Sequence, residues 1–239
     1  MTSDLQSIWV YLSASPLLGL TATLVAYQGA LWLFERLGRS PLANPVLIAV
    51  IAIAGFLMAT GTEYRTYFDG AQFVHFLLGP ATVALAVPLY RQLPVLRRAW
   101  PAVLAAVLCG AMTATASAVG IAWVLGGSTP VVLSLAPKSV TIPIAMGVAE
   151  RIGGIPSLTA VLVMLTGMVG AVGGGWVLDL VGVKSPAARG LALGVASHGI
   201  GTVRAMQMGE VSGAFAGLAI GLTGVATAIL VPPLVGLLR

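Results

Sequence analysis

Apolar runs bounded by charges and by glycine or proline fill most of the chain, giving candidate segments at about 8–34, 44–60, 71–90, 100–126, 129–149, 157–181, 187–208 and 211–237. A bilayer crossing takes roughly 20 apolar residues at about 1.5 Å of rise each. The pattern therefore predicts an all-α polytopic membrane protein with about seven or eight membrane segments, short loops, and a single domain over 1–239. Composition sharpens this. With 58% hydrophobic and 8% charged residues and a mean hydropathy of +1.01, the chain cannot supply the polar shell that a soluble fold of this size needs.

The charges speak to topology. The chain is basic, with a pI near 9.9, yet its basic residues stand in ones and twos at the ends of apolar runs, which argues for orientation signals and against a nucleic-acid patch. Arg36 and Arg39 flank one loop, and Arg91, Arg97 and Arg98 flank another two crossings later, so both fall on the cytoplasmic side and the N-terminus lies outside. Lys184 and Arg189 join that side only if the 129–149 segment dips in and returns; Arg151 votes the other way. The first segment lacks a charged n-region and runs too long for a cleaved signal, so it is expected to be retained. Cys109, the single cysteine, reads as a small packing residue.

The 129–149 segment holds Pro130, Pro137 and Pro143 and the charge of Lys138, which predicts a broken or re-entrant element. Such backbone persists at membrane depth only against protein or a wet cavity. Internal similarity points the same way: Leu78–Val83 reads against Leu135–Val140, each with a proline, a small hydroxyl two residues later, then valine. A weaker echo links Asn44–Ala49 with Ile155–Ala160. Paired Gly/Pro-interrupted segments are the pattern of inverted-repeat transporters, whose unwound helices expose backbone dipoles to a ligand near the midplane. The breaks are expected at Gly79, Pro80, Pro137, Gly199 and Gly201.

Lys138 is the most informative residue, because an ammonium at the centre of an apolar segment costs roughly 2.5–3.5 kcal/mol on insertion scales. No acidic residue lies at comparable depth, so an anion in a cavity is the natural partner; a lysine that reaches a headgroup or a helix C-terminus is the bland alternative. Ser139 and Thr141 flank it with hydroxyls that can bind a carboxylate or merely satisfy their own helix. The second constellation is Ser197, His198 and Thr202 within a glycine-broken segment. His198 either donates to an anion or carries a coupled proton, or simply ties helices together. Arg204 either clamps a carboxylate or pairs with Glu210. Asn44 is expected to cap a helix, His75 to be structural, and Glu63, Arg65 and Asp69 to form a solvated loop cluster. No nucleophile–base pair, metal-ligand pair or acid pair at depth is present in the sequence, which argues against an enzyme, a cofactor or a metal site.

Four stretches in order, FLLGPATVALAVPLY at 76–90, PKSVTIPIA at 137–145, GGIPSLTA at 153–160 and ARGLALGVASHGIGT at 188–202, resemble the LrgB/CidB family over about Ala43 to Pro232. The resemblance implies a bacterial inner membrane, a small LrgA-like membrane partner and a homo-oligomer such as a dimer. Its plant relatives, plastid glycolate/glycerate translocators, imply a small monocarboxylate such as glycolate, glycerate, pyruvate or lactate, moved with a proton or another cation. On that view Thr82, Lys138, Ser139, Thr141, Ser197, His198 and Thr202 surround the anion. Bacterial members described as antiholin-like, affecting murein hydrolase export and autolysis, imply the alternative of a regulatory membrane protein that transports nothing itself.

Overall fold

The structure, a computed structural model, describes residues 16–40, 43–77, 80, 83–84 and 86–237. Its described residues form helices joined by short turns, with no strand among them. Four of the helices are long and apolar enough to cross a bilayer: α1 (Pro16–Arg36), α5 (Leu93–Val124), α8 (Pro156–Leu180) and α10 (Glu210–Leu237). The chain divides into two compact units, 1–84 and 85–239.

In the first unit α1 packs against α2 (Pro45–Thr60) and α3 (Tyr64–Phe76). The close approach of α1 to α3 depends on Gly19, where a Cβ would overlap the Tyr67 carbonyl, and it is fixed by a 2.7 Å hydrogen bond between Thr23 Oγ1 and Tyr67 OH. Asn44 caps α2 as expected, accepting from the Val46 and Leu47 amides. The expected loop cluster is corrected: Arg65 and Asp69 lie on α3, because Tyr64, Tyr67 and Phe68 fall at helical spacing and their rings meet on one face. Within 71–90, α3 ends at Phe76 and a separate short helix, α4, spans Ala86–Arg91. The proposed break at Gly79 and Thr82 lies outside the described residues, as does most of the Leu78–Val83 half of the repeat.

The second unit is built on α5, α8 and α10. Between α5 and α8 come α6 (Thr129–Leu135) and α7 (Ile142–Ile152), separated by the non-helical residues 136–141. Between α8 and α10 comes α9 (Pro186–Met208), which is interrupted at Ser197 and His198. Helices with little apolar advantage over lipid associate through small residues, and α9 meets α10 in this way. A Cβ at Gly190 or Gly194 would run into the backbone of Ser212 or Ala216. Large apolar side chains such as Trp123, Leu125, Trp176, Leu180 and Ile229 stay exposed, as a lipid-facing surface requires.

The helix directions follow from these contacts. Ser212, at the start of α10, donates to the Pro186 carbonyl at the start of α9, while Val231 and Val235 near its end cluster with Leu133 and Ile152. α10 therefore runs antiparallel to α8, from the end where α8 stops to the end where it starts. α5 runs with α10: Leu93 and Ala99 join the cluster that Ala187 and Val211 also join, and Thr115, two-thirds of the way along, reaches the Ala136 carbonyl. A long helix followed by a broken element thus occurs twice, in opposite directions.

Candidate functional site

The first broken element leaves and returns to the same place. Ser134 Oγ donates to the Pro130 carbonyl at 2.7 Å and accepts from the Ile155 amide at 2.8 Å, and Thr159 Oγ1 donates to the Ser134 carbonyl at 3.1 Å. A Cβ at Gly154 would sit 3.0 Å from the Ser134 nitrogen. Between these closures Pro137 prevents α6 from continuing, the chain unwinds, and α7 restarts at Thr141 with Pro143 in its first turn. Gly153 stops α7 in the left-handed conformation and frees the chain to turn into α8.

The second broken element enters from the other end of α8. Its first half packs antiparallel to α8, and Arg189 fastens that end through an ion pair to Asp179 and a 2.9 Å bond to the Val183 carbonyl. The chain then reverses within two residues: Ser197 takes φ −133°, ψ 15° and His198 takes φ 42°, ψ −132°. The second half returns alongside the first, so that a Cβ at Gly201 would overlap the Leu193 carbonyl, and Leu193 and Ala205 share one buried cluster. The break expected at Gly199 and Gly201 falls just before them, at Ser197 and His198, and the 187–208 segment turns back on itself there. Glycine at 201 permits the return strand of helix to lie this close, while Gly199 has open space around it and serves as the residue after the turn.

Both tips arrive at the same stretch of α8. Val140 of the first element packs against Val163, and His198 of the second bonds to the Val163 carbonyl at 2.9 Å. A carbonyl only accepts, so Nε2 carries the hydrogen and Nδ1 is the basic nitrogen. Lys138 and His198 are near enough to interact electrostatically. The tip of α9 fits because α8 presents glycine there: a Cβ at Gly167 would meet the His198 ring, and one at Gly170 would fall on the Ser197 hydroxyl. Val163, Gly167 and Gly170, together with Ser134, position the site and were missed by the sequence reading. Their signal was a run of glycines three apart on an otherwise apolar helix.

Lys138 lies in the unwound segment, half-buried, with Nζ 3.4 Å from Ser139 Oγ. Among the described residues no carboxylate forms an ion pair with it; the ion pairs there are Arg91–Glu210 and Arg189–Asp179. Ser139 is buried. Thr141 is the N-cap of α7, but its hydroxyl makes no capping bond. Ser197 is 1% exposed with an unpartnered Oγ, whereas Thr202 spends its hydroxyl hydrogen on the His198 carbonyl at 3.0 Å. Arg204 stands apart from this group on the returning half of α9. The pairing with Glu210 is corrected: Arg204 donates to Gln207 Oε1 at 3.1 Å, and Glu210 meets Arg91 at 3.5 Å.

Two helices begin at the meeting point: α7, and the returning half of α9. α6 and the first half of α9 end there, so free carbonyls and negative dipole ends meet the free N–H groups and positive ends, and the arrangement owes its positive character to the ammonium of Lys138. It has the chemistry to hold a small anion.

Comparison with known proteins agrees with the pattern of motifs. The LrgB-like family matches residues 23–237. The antiholin-like protein LrgB of Bacillus mycoides (strain KBAB4) is 33% identical over 218 residues, covering 91% of this chain and 95% of that protein. The protein of the same name from Bacillus cereus (strain B4264) matches to the same extent. No solved structure matches the chain. With the family matching nearly from end to end, this membrane protein, helical across its described residues, belongs to the LrgB-like family.

Proposed function

We propose that the chain is a secondary transporter of small monocarboxylates of the glycolate, glycerate, pyruvate and lactate class, working in the bacterial cytoplasmic membrane. The observation that carries this reading is Lys138: a cation without a carboxylate partner among the described residues, on an unwound segment that meets a second broken helix beside Val163. A charge so placed is costly unless something compensates it, and the N–H groups that open α7 and the returning half of α9 are donors an anion can use beside it. Ser139 and Thr141 offer hydroxyls to its second oxygen, with Ser197 at the opposite tip, where the Thr202 hydroxyl is committed to the His198 carbonyl.

Orientation fits the same reading. If both broken elements dip into the bilayer and return, Arg91, Arg97, Arg98, Lys184 and Arg189 gather on one side, which the positive-inside rule makes cytoplasmic. Opposed re-entrant tips, each on its own long helix, give a rocking or elevator-like movement a site to carry between the two faces. His198 keeps Nε2 on the Val163 carbonyl, leaving Nδ1 to take a coupled proton. Arg204 serves as a secondary anion clamp near the mouth. A small LrgA-like membrane protein and a second copy of the chain are the proposed partners.

The test is uptake of labelled glycolate, glycerate, pyruvate and lactate into proteoliposomes, with Lys138→Ala as control and with an imposed pH gradient. Protein-dependent uptake that the substitution abolishes supports the reading; acceleration by the gradient adds proton coupling. The names of the relatives favour a second reading, a regulatory membrane protein without transport of its own. Absence of uptake of every acid, with an LrgA-like partner present as well, would move the weight there.

A further inference from the structure

Thr223 of α10 is 1% exposed, and its Oγ1 has no hydrogen-bond partner. Hydroxyls on membrane helices ordinarily bond to the carbonyl four residues back. Thr23, Thr60, Thr159, Thr166 and Thr202 all do so in this protein. Thr223 departs from that habit while buried, and a buried polar atom left over in this way calls for a ligand or an explanation.

Its position supplies one. α10 runs parallel to the first half of α9 in a register fixed by Gly190 against Ser212 and Gly194 against Ala216 and Ala219. Continued at the same rise, that register brings Ser197 and His198 level with the turn of α10 just before Thr223. From the opposite side, Gly224 lies against Ile144 in the first turn of α7. One turn further on, Thr227 lines a small cavity together with Thr115, whose hydroxyl holds the Ala136 carbonyl at the start of the unwound segment. Helical spacing puts Thr223 on the face shared by Ala216, Ala219 and Thr227. It therefore lies between the tip of α9 and the first turn of α7, the helix that follows the segment carrying Lys138.

We infer that Thr223 is a substrate-positioning residue, hydrogen-bonding the hydroxyl of a small 2-hydroxy acid whose carboxylate is held at Lys138; the inference rests on the transport reading above. The chemistry of the donors argues for the division of labour. An ammonium and helix N-terminal amides only donate, which suits a carboxylate, whereas a substrate hydroxyl is also a donor and needs an acceptor. Oγ1 of Thr223 is a buried, uncommitted acceptor and donor at this level. Acetate, which has a carboxylate and no hydroxyl, would gain nothing from it, so the residue sets preference and not charge selectivity.

The experiment compares wild type, Thr223→Val and Thr223→Ser in proteoliposomes, measuring KM for glycolate and for acetate, with glycolate-induced thermal stabilisation of the purified protein as an independent readout. Valine keeps the shape and removes an unpaired group, so folding is expected to be unharmed. The expected result is a rise in glycolate KM on the order of tenfold in the valine variant, the worth of one well-placed hydrogen bond, with acetate unchanged and serine restoring the wild-type preference. An active wild type whose glycolate KM is untouched by valine overturns the role of Thr223 alone. A wild type with neither uptake nor stabilisation by glycolate overturns the transport reading and this inference with it.

Discussion

The two broken elements solve one geometrical problem with opposite chemistry. The first spreads its reversal over residues 136–141, carries a charge there, and is held by Ser134 against Gly154 and Ile155 and by Thr115 on the Ala136 carbonyl. The second reverses at Ser197 and His198 alone, carries no Lys, Arg, Asp or Glu at the turn, and is pinned at the tip itself by Gly167, Gly170 and the Val163 carbonyl. A charged, extended tip facing an uncharged, sharply turned one assigns the carboxylate to the first and most of the structural load to the second. Substitutions at the first should strike transport and spare the fold; substitutions at the second should cost stability, whatever they do to coupling.

The largest expected effect breaks the comparison on the first side. Lys138→Met should reduce carboxylate uptake to background while leaving the thermal midpoint in detergent unchanged or higher, because it removes an ammonium without a carboxylate partner from an apolar setting. A collapse in stability with residual uptake would mean that the lysine holds the element together. Next comes Gly170→Ala, whose new methyl would fall on Ser197. Overpacking at a rigid contact costs about 1–3 kcal/mol, read as a lowered thermal midpoint, and Ser197→Gly in the same chain should recover much of it. Independent, additive losses would separate Gly170 from the tip.

His198→Ala follows at a similar or smaller magnitude. It leaves the Val163 carbonyl without the ring's N–H, a loss of about 1–3 kcal/mol for a buried acceptor, and the strain at φ 42°, common to alanine and histidine, offsets none of it. His198→Gly, which accepts that backbone angle, should be the more stable of the two. If the alanine variant is the more stable, the tip is not held in the conformation described.

How far the sequence could carry this architecture depends on what each feature rests on. The break at Pro137 was legible because proline lacks a donor and blocks the preceding turn whatever surrounds it. Lys138 stood out because charge in an apolar run is costly in any fold. Asn44 announced itself by standing before Pro45. The sharp reversal at Ser197 and His198 was visible only as two nearby glycines; its direction, and hence the folding back of 187–208, is decided by Gly167 and Gly170 on another helix. The same holds for Arg204 and Glu210, which stand close in sequence yet turn to Gln207 and Arg91. Ser134 and Thr223 were lost among ordinary hydroxyls, since only tertiary structure tells a back-bonded threonine from an uncommitted one.

The smallest effects give the sharpest comparison, because they match like with like. Thr141 and Thr202 are hydroxyls at the starts of the two helices that leave the tips. Thr202 donates to the His198 carbonyl, at the strained residue of the tight tip. Thr141 makes no capping bond at the N-terminus of α7, beside the charged one. Replacing each with valine keeps shape and removes one hydroxyl. Thr202→Val should cost about 1 kcal/mol, the net worth of one intramolecular hydrogen bond, and leave the KM for glycolate where it was. Thr141→Val should leave the thermal midpoint within the few tenths of a kcal/mol typical of a position with no bond to lose, and raise the KM severalfold. Stability measured by thermal melting and KM measured in proteoliposomes would then move on different tips. If Thr141→Val alters stability and not KM, its hydroxyl serves α7 alone, and the contrast between a binding tip and a supporting tip fails at its most direct point.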